Sequence, residues 1–260
     1  MGDTKGTWRR ERGGLYLVPM VTVGLVLAVA TPVKAALHDR GGGLIYDDVL
    51  KITWLQDARY APATMLWSQA VAWAEGLSYY DTVRGVTWTD WRLPQVRPVD
   101  GVGFNYAWSF DGSTDMAYNI SAPGSVYPGS TGSEMAYLYS VNLGNLGFYD
   151  TNGVGPQPGY SSVPNAEFTD GTSGMTVAFE NLNIGAYWSA TERADIAPQY
   201  AWRFSFNAGD QAWSLKSTRL YAWPVRDGDV IPEPSSVVLL VSAMGVMAAL
   251  RPRHSRRAPL

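Results

Sequence analysis

The chain has 260 residues, 46% of them hydrophobic and 17% charged, with 11 Trp, 15 Tyr and no Cys. That length can bury a real core and suits one large domain or two small ones, and the aromatic content argues against disorder. Without Cys there are no disulfides, thiolate nucleophiles or Cys-based metal sites; the two His, His38 and His254, lie near opposite ends, which excludes a His triad and a multi-His metal centre. Charge divides into three segments, +3 over 1–35, −9 over 36–230 and +3 over 231–260. An acidic body makes nucleic acid an unfavourable partner.

At the N-terminus, Arg9, Arg10 and Arg12 precede an apolar run from Leu15 to Ala30. Basic flank, short apolar run and small-residue exit predict a secretory signal over 1–35, read by signal peptidase, with cleavage between Ala35 and Ala36. An uncleaved membrane anchor is the alternative; either way the arginines stay in the cytoplasm and the body is exported.

The body, 36–230, holds ten of the Trp. His38 to Gly43 reads as a loose leader, and Leu44–Tyr46 and Ile52–Leu55 flank Asp47-Asp48 as a short hairpin. Apolar spacing from Trp67 to Tyr80 predicts a helix with Trp67, Val71 and Ala74 facing a core. Trp88 to Pro94 alternates like a strand. Residues 101–175, rich in Gly and Pro, read as long surface loops, interrupted by a short helix at Ser133–Tyr139 with Ser133 as N-cap and Glu134 suited to the helix dipole. The last third is strand after strand: 186–191, then 200–206 and 211–215 around a turn at Asn207–Asp210, then 220–226. Alternation sets Trp202, Phe204 and Phe206 on one face. The order predicts an α+β fold, short helices packed on antiparallel sheets with long loops.

Beyond the body, Pro232-Glu233-Pro234 precedes a mostly apolar stretch, Ser235 to Leu250, and then Arg251, Arg253, Arg256 and Arg257. Sixteen helical residues reach roughly 24 Å, short of a ~30 Å hydrocarbon core, so this is a marginal span suited to transient anchoring. Tripeptide, apolar helix and basic tail together resemble the PEP-CTERM sorting signal of Gram-negative bacteria. The resemblance implies processing by exosortase at Pro232, Glu233 and Pro234 and delivery to the cell surface or extracellular matrix, alongside exopolysaccharide. A plain tail anchor is the alternative.

Seven short words run through the body in order: Gly43–Asp47, Ile52–Asp57, Trp67–Ala70, Asp90–Pro94, Ser133–Met135, Tyr187–Glu192 and Tyr221–Arg226. They resemble the Lcl C-terminal-type domain, named for a bacterial collagen-like adhesin and similar to C-type-lectin-like and formylglycine-generating-enzyme-like folds. The resemblance implies termini close together, with Leu44–Tyr46 beside Trp223–Val225. Taken with the two chain ends, the expectation is a non-enzymatic, adhesive or exopolysaccharide-associated surface protein, a purely structural protein being a further option. The chain departs from true C-type lectins and from the formylglycine enzyme in lacking their cysteines, and it has no collagen-like repeats.

Three chemistries have candidates in the body. A glycoside hydrolase needs two carboxylates in one cleft, and Asp47, Asp48, Asp57, Asp90, Glu134 and Glu192 are available; the competing reading places them in turns, a helix cap, and pairs of Asp90 or Glu192 with Arg92 or Arg203. Calcium wants oxygen ligands on loops, which Asp111 and Asp115 offer, although no cofactor is required by any motif. Carbohydrate contact calls for rings with polar edges, and the loop aromatics Tyr106, Trp108, Tyr118 and Tyr127 are the candidates, the strand Trp being core.

Overall fold

A computed structural model describes Gly2 and residues 36–230 apart from Asn183, Ala194, Ile196 and Ala197. The predicted signal peptide, with Ala35, and the sorting signal, with Pro232, Glu233 and Pro234, lie outside the described residues. Among those described, no helix is long and apolar enough to cross a membrane.

In chain order the body forms β1 (Leu37–Asp39), β2 (Leu44–Asp47), β3 (Ile52–Leu55), α1 (Trp67–Glu75), β4 (Tyr79–Asp81), β5 (Val86–Trp88), β6 (Trp91–Arg92), β7 (Trp108–Ser109), β8 (Met116–Tyr118) and α2 (Glu134–Tyr137). A π-helical turn, Leu138–Asn142, then β9 (Glu167–Thr169), β10 (Thr176–Ala178), β11 (Ala186–Glu192), β12 (Tyr200–Ser205), β13 (Asp210–Leu215) and β14 (Val225–Asp227) complete it. This is an α+β arrangement, mainly β. One five-stranded sheet runs β1-β2-β3-β14-β6, a second β11-β12-β13-β8-β7, with two-stranded ribbons β4-β5 and β9-β10.

The first hairpin forms as predicted, Ile45 opposite Trp54, and its turn is built by Asp47, whose Oδ1 accepts the Val49 and Leu50 amides. The leader, expected to be loose, is instead β1, antiparallel to β2 with His38 opposite Tyr46. The last strand joins this sheet, but its partners are β3 and β6, with Val225 opposite Trp54 and Arg92. The expected neighbour, β2, already has both edges occupied, by β1 and β3. Trp223, just before β14, donates its indole N–H to the Leu55 carbonyl at 2.7 Å and packs on Trp54, Phe179 and Phe206.

Helix α1 starts where predicted, the Gln69 side chain accepting the Leu66 amide, but stops at Gly76, whose own amide caps Ala72. Ala70 and Ala74 are buried while Trp67 and Val71 are half-buried, and Tyr79–Asp81 goes to strand rather than helix. Trp88 to Pro94 is two elements, because the chain leaves the β4-β5 ribbon at Trp88 and enters the first sheet at Trp91. The β12-β13 hairpin places Trp202 opposite Trp213, and Trp202, Phe204 and Phe206 are all buried. One pairing, β7 with β8, is parallel rather than antiparallel. Residues 101–175 are not all surface loop either: Ala117, Ile120, Met135, Leu138 and Tyr139 are buried in the main core.

Candidate functional site

Two loop segments, 97–101 and 126–132, face each other across an open cleft of about 720 Å³. The two segments are joined next to it by a β-bridge between Val96 and Ser133, with the Arg97 amide donating to the Gly132 carbonyl at 2.6 Å. Only glycine fits at 132, since a Cβ there would stand 2.9 Å from the carbonyl oxygens of both Arg97 and Pro98. Following Ser133 in the chain, the buried Glu134 carboxylate accepts both Arg92 Nη groups at 2.9 Å and the Gln95 amide at 2.8 Å. Burial works against the Arg92 charge, but Glu134 and then Asp227 outweigh it and hold the guanidinium above its ordinary pKa.

The first wall hangs from Asp115. Its two carboxylate oxygens accept the Val99 amide at 2.8 Å and the Asn105 amide at 2.7 Å, and burial pushes its pKa up against those two bonds. Thr191 exchanges hydrogen bonds with the Val96 backbone at 2.9 and 3.0 Å. In the second wall, Ser121 donates to the Ser130 carbonyl, and Ser130 in turn donates to the Val99 carbonyl at 2.9 Å, joining the walls. A Gly- and Pro-rich stretch with few apolar side chains is thus ordered by side-chain bonds to backbone.

The cleft presents Tyr127, Arg97, Asp100, Ser130, Thr131 and the exposed Val126. An aromatic ring beside donors and acceptors of both charge signs can stack on a sugar face and bond its hydroxyls. Of the four loop aromatics, only Tyr127 lines this cleft. Tyr106 stacks on Trp202 at 5.9 Å and on Phe104, with the Arg193 guanidinium 4.6 Å from its ring centre. Trp108, 41% exposed on the edge strand β7, meets Tyr118 edge-on at 5.4 Å. Tyr118 itself packs among Phe110 and Tyr149, and burial pushes its phenol to about 12.

Asp115 spends both oxygens on backbone amides, and Asp111 accepts from Ser113, whose hydroxyl holds its carboxyl below the usual range. Among the described residues no three His, Asp or Glu side chains gather as metal ligands. The six carboxylates weighed for hydrolysis are dispersed. Asp47 makes its turn and accepts Asn142 Nδ2 at 2.7 Å, and Asp48 accepts the Ala36 amide at 2.9 Å and approaches His38 at 3.2 Å. Asp90 pairs with Arg226 rather than Arg92 or Arg203, and Glu192 with Lys216. Arg92 goes to Glu134, which is therefore an ion-pair anchor as well as a first-turn acid, and Arg203 goes to Asp210. Asp57 lines a pocket that also contains the carboxylate of Glu180.

Sequence reasoning passed over Arg97, Asp100 and Glu180. Arg97 and Asp100 sit in a segment with no motif, and Glu180 is 123 residues from Asp57. Compared with known proteins, the chain matches no family model, no curated protein and no solved structure.

Proposed function

We propose that the chain is an exported, non-enzymatic module displayed at the cell surface or in the extracellular matrix, where it binds polysaccharide through the cleft between 97–101 and 126–132. The observation that carries this reading is that open cleft, with Tyr127 beside Arg97, Asp100 and the hydroxyls of Ser130 and Thr131. The two chain ends support export and sorting: the predicted signal peptide, then the Pro232-Glu233-Pro234 tripeptide with its apolar stretch and basic tail, for signal peptidase and exosortase. The likeness to the Lcl C-terminal-type domain and a C-type-lectin-like fold draws support from a last strand that enters the sheet of the first hairpin, while long loops build the cleft.

The test is binding of the secreted protein to the exopolysaccharide of the producing cells, with and without a calcium chelator. Saturable binding that Tyr127→Ala weakens at least tenfold supports the reading; binding by neither protein overturns it. Loss with chelator would bring calcium and the Asp111 loop into the site. Glu233→Gln should leave the body attached to membranes, and unchanged release would refute the sorting signal.

A second reading, a carboxylate glycoside hydrolase, is favoured by one observation, the shared pocket of Asp57 and Glu180. Shortening of the polysaccharide during the binding assay would establish it.

A further inference from the structure

On residues separate from the loop cleft, a second pocket of about 300 Å³ opens between Gln56, Asp57, Tyr60, Tyr79 and Glu180, over the buried Leu55. That volume is at the lower end of ordinary ligand pockets and holds about one sugar ring. The carboxylates are set by backbone. Asp57 and Glu180 form a parallel bridge in which the Glu180 amide donates to Gln56 O at 2.8 Å and the Ala58 amide to Glu180 O at 2.9 Å. Asp57 Oδ1 accepts the Arg59 amide and Asn181 Nδ2, at 2.8 and 3.0 Å.

The rings are equally placed. Tyr79 donates its hydroxyl to the Gly42 carbonyl at 2.7 Å and lies edge-on to Tyr60 at 5.5 Å and to Trp91 at 5.8 Å. Gly43, at φ +77°, is required beside it, because a Cβ there would collide with the Tyr79 hydroxyl. Burial first, and then the negative field of Tyr60, Asp81, Glu180 and Asp57, keeps the Tyr79 phenol above its ordinary pKa. Among the described residues, no Lys, Arg or His lines the pocket. The arginine next in sequence, Arg59, lies over the Tyr221 ring at 5.2 Å.

Two carboxylates without a lining cation, beside two tyrosine rings and a primary amide, match a ligand that carries positive charge and a face to stack. From this we infer that the pocket binds a sugar bearing a free amino group, a de-N-acetylated hexosamine residue of a polysaccharide. The ammonium meets Asp57 and Glu180, the ring lies against Tyr60, and Gln56 and Tyr79 close the sides. The acidic body, −9 over 36–230, draws a polycation toward it. The choice of an amino sugar over a free amine rests on the polysaccharide reading; the charge preference does not.

The experiment is calorimetric titration of the detergent-solubilised full chain with glucosamine oligosaccharides, N-acetylglucosamine oligosaccharides of equal length, and tetramethylammonium. Binding of the free-amine oligosaccharide at least tenfold tighter than of the acetylated one, weakening with added salt, supports the proposal. Glu180→Gln should cut that affinity at least tenfold and Tyr60→Ala several-fold, while Tyr127→Ala leaves it unchanged. Glu180 and Tyr60 are exposed, and a melting curve matching the unaltered chain confirms that each variant folds. Equal affinity for both oligosaccharides overturns the ammonium site, and equal affinity for tetramethylammonium overturns the sugar. Cleavage of either oligosaccharide overturns binding in favour of hydrolysis. Glucosamine binding with no exopolysaccharide binding by either the unaltered chain or Tyr127→Ala would overturn the loop-cleft reading alone and leave this pocket standing.

Discussion

The first sheet and the loop region around the cleft are ordered by different means. Around Trp223, order comes from apolar contact: Trp54, Phe179, Tyr187 and Phe206 all have ring centres within 5.9 Å of it. Around the cleft, Val99 and Tyr127 reach the apolar core, but the loops are tied chiefly by hydrogen bonds, with Asp115, Ser121, Ser130 and Glu134 linking side chains to backbone. Apolar contact is non-directional and tolerates any stretch of strand that alternates correctly. Polar staples act at single atoms, so they can hold irregular backbone open to solvent, which a binding cleft requires.

The largest effect should come from breaking the first kind of order. Trp223→Ala removes a fully buried indole and leaves the Leu55 carbonyl without its donor, a loss of about 3–5 kcal/mol. It should abolish a cooperative melt in circular dichroism. Trp202→Ala, also fully buried, should cost a similar amount and release Phe104 and Tyr106. A normal melting curve for either variant would mean that its strand face is not core.

The next effect is a pH dependence seated in the first hairpin. Burial, against the Leu50, Val49 and Asn142 hydrogen bonds, raises Asp47 from 3.8 to about 6. The folded state therefore holds this proton more tightly than the unfolded chain. Its contribution is fully present below pH 3.8 and is lost as pH rises to about 6, by roughly 3 kcal/mol at about 1.36 kcal/mol per pH unit. Asp170 acts in the opposite sense: burial opposes its charge, but Ser173 and the Asp39 amide overcome it and lower it to about 2, so its contribution is lost as pH falls from 3.8 toward 2. Chemical denaturation from pH 4 to 7 should show stability falling with pH, and Asp47→Asn should flatten that limb. An unchanged slope in the variant would refute the assignment.

Breaking a staple should cost less and act locally. Asp115→Ala leaves the Val99 and Asn105 amides without partners, about 1–3 kcal/mol. Hydrogen exchange should quicken at 97–105 while β2, β3 and β14 keep their protection; uniform loss would contradict the separation of the two regions. The smallest effect concerns Ala36, whose nitrogen lies 2.9 Å from Asp48 Oδ1. In a chain beginning at Ala36 that nitrogen is an ammonium, and the pair should add about 0.2–1 kcal/mol over the same chain acetylated there, a difference absent in Asp48→Asn.

Local features are legible in the sequence itself. The alternation of Trp202, Phe204 and Phe206 marks a buried face; Asp47 in a turn, Ser133 as an N-cap accepting the Ala136 amide at 3.2 Å, and the turn at Asn207–Asp210 are all short-range chemistry. A dihedral preference, a period of two and a side chain that bonds a neighbouring amide act within a few residues, and the chain spells them out in order.

Tertiary structure alone decided the rest. Whether β14 pairs with β2 or β3 depends on which edge β1 covers, and β1 carries no strand signal of its own. Asp115 resembles a metal ligand in the sequence because composition reports an oxygen and cannot report that two amides, at Val99 and Asn105, have claimed both of them. Tyr106 and Tyr127 share the same loop character, yet one is stacked on Trp202 and the other faces the cleft. Asp57 meets Glu180 across 123 residues through a single bridge. Strand patterns are set by neighbours along the chain, whereas both candidate sites are made by backbone segments distant in sequence, and only the closed fold brings those together.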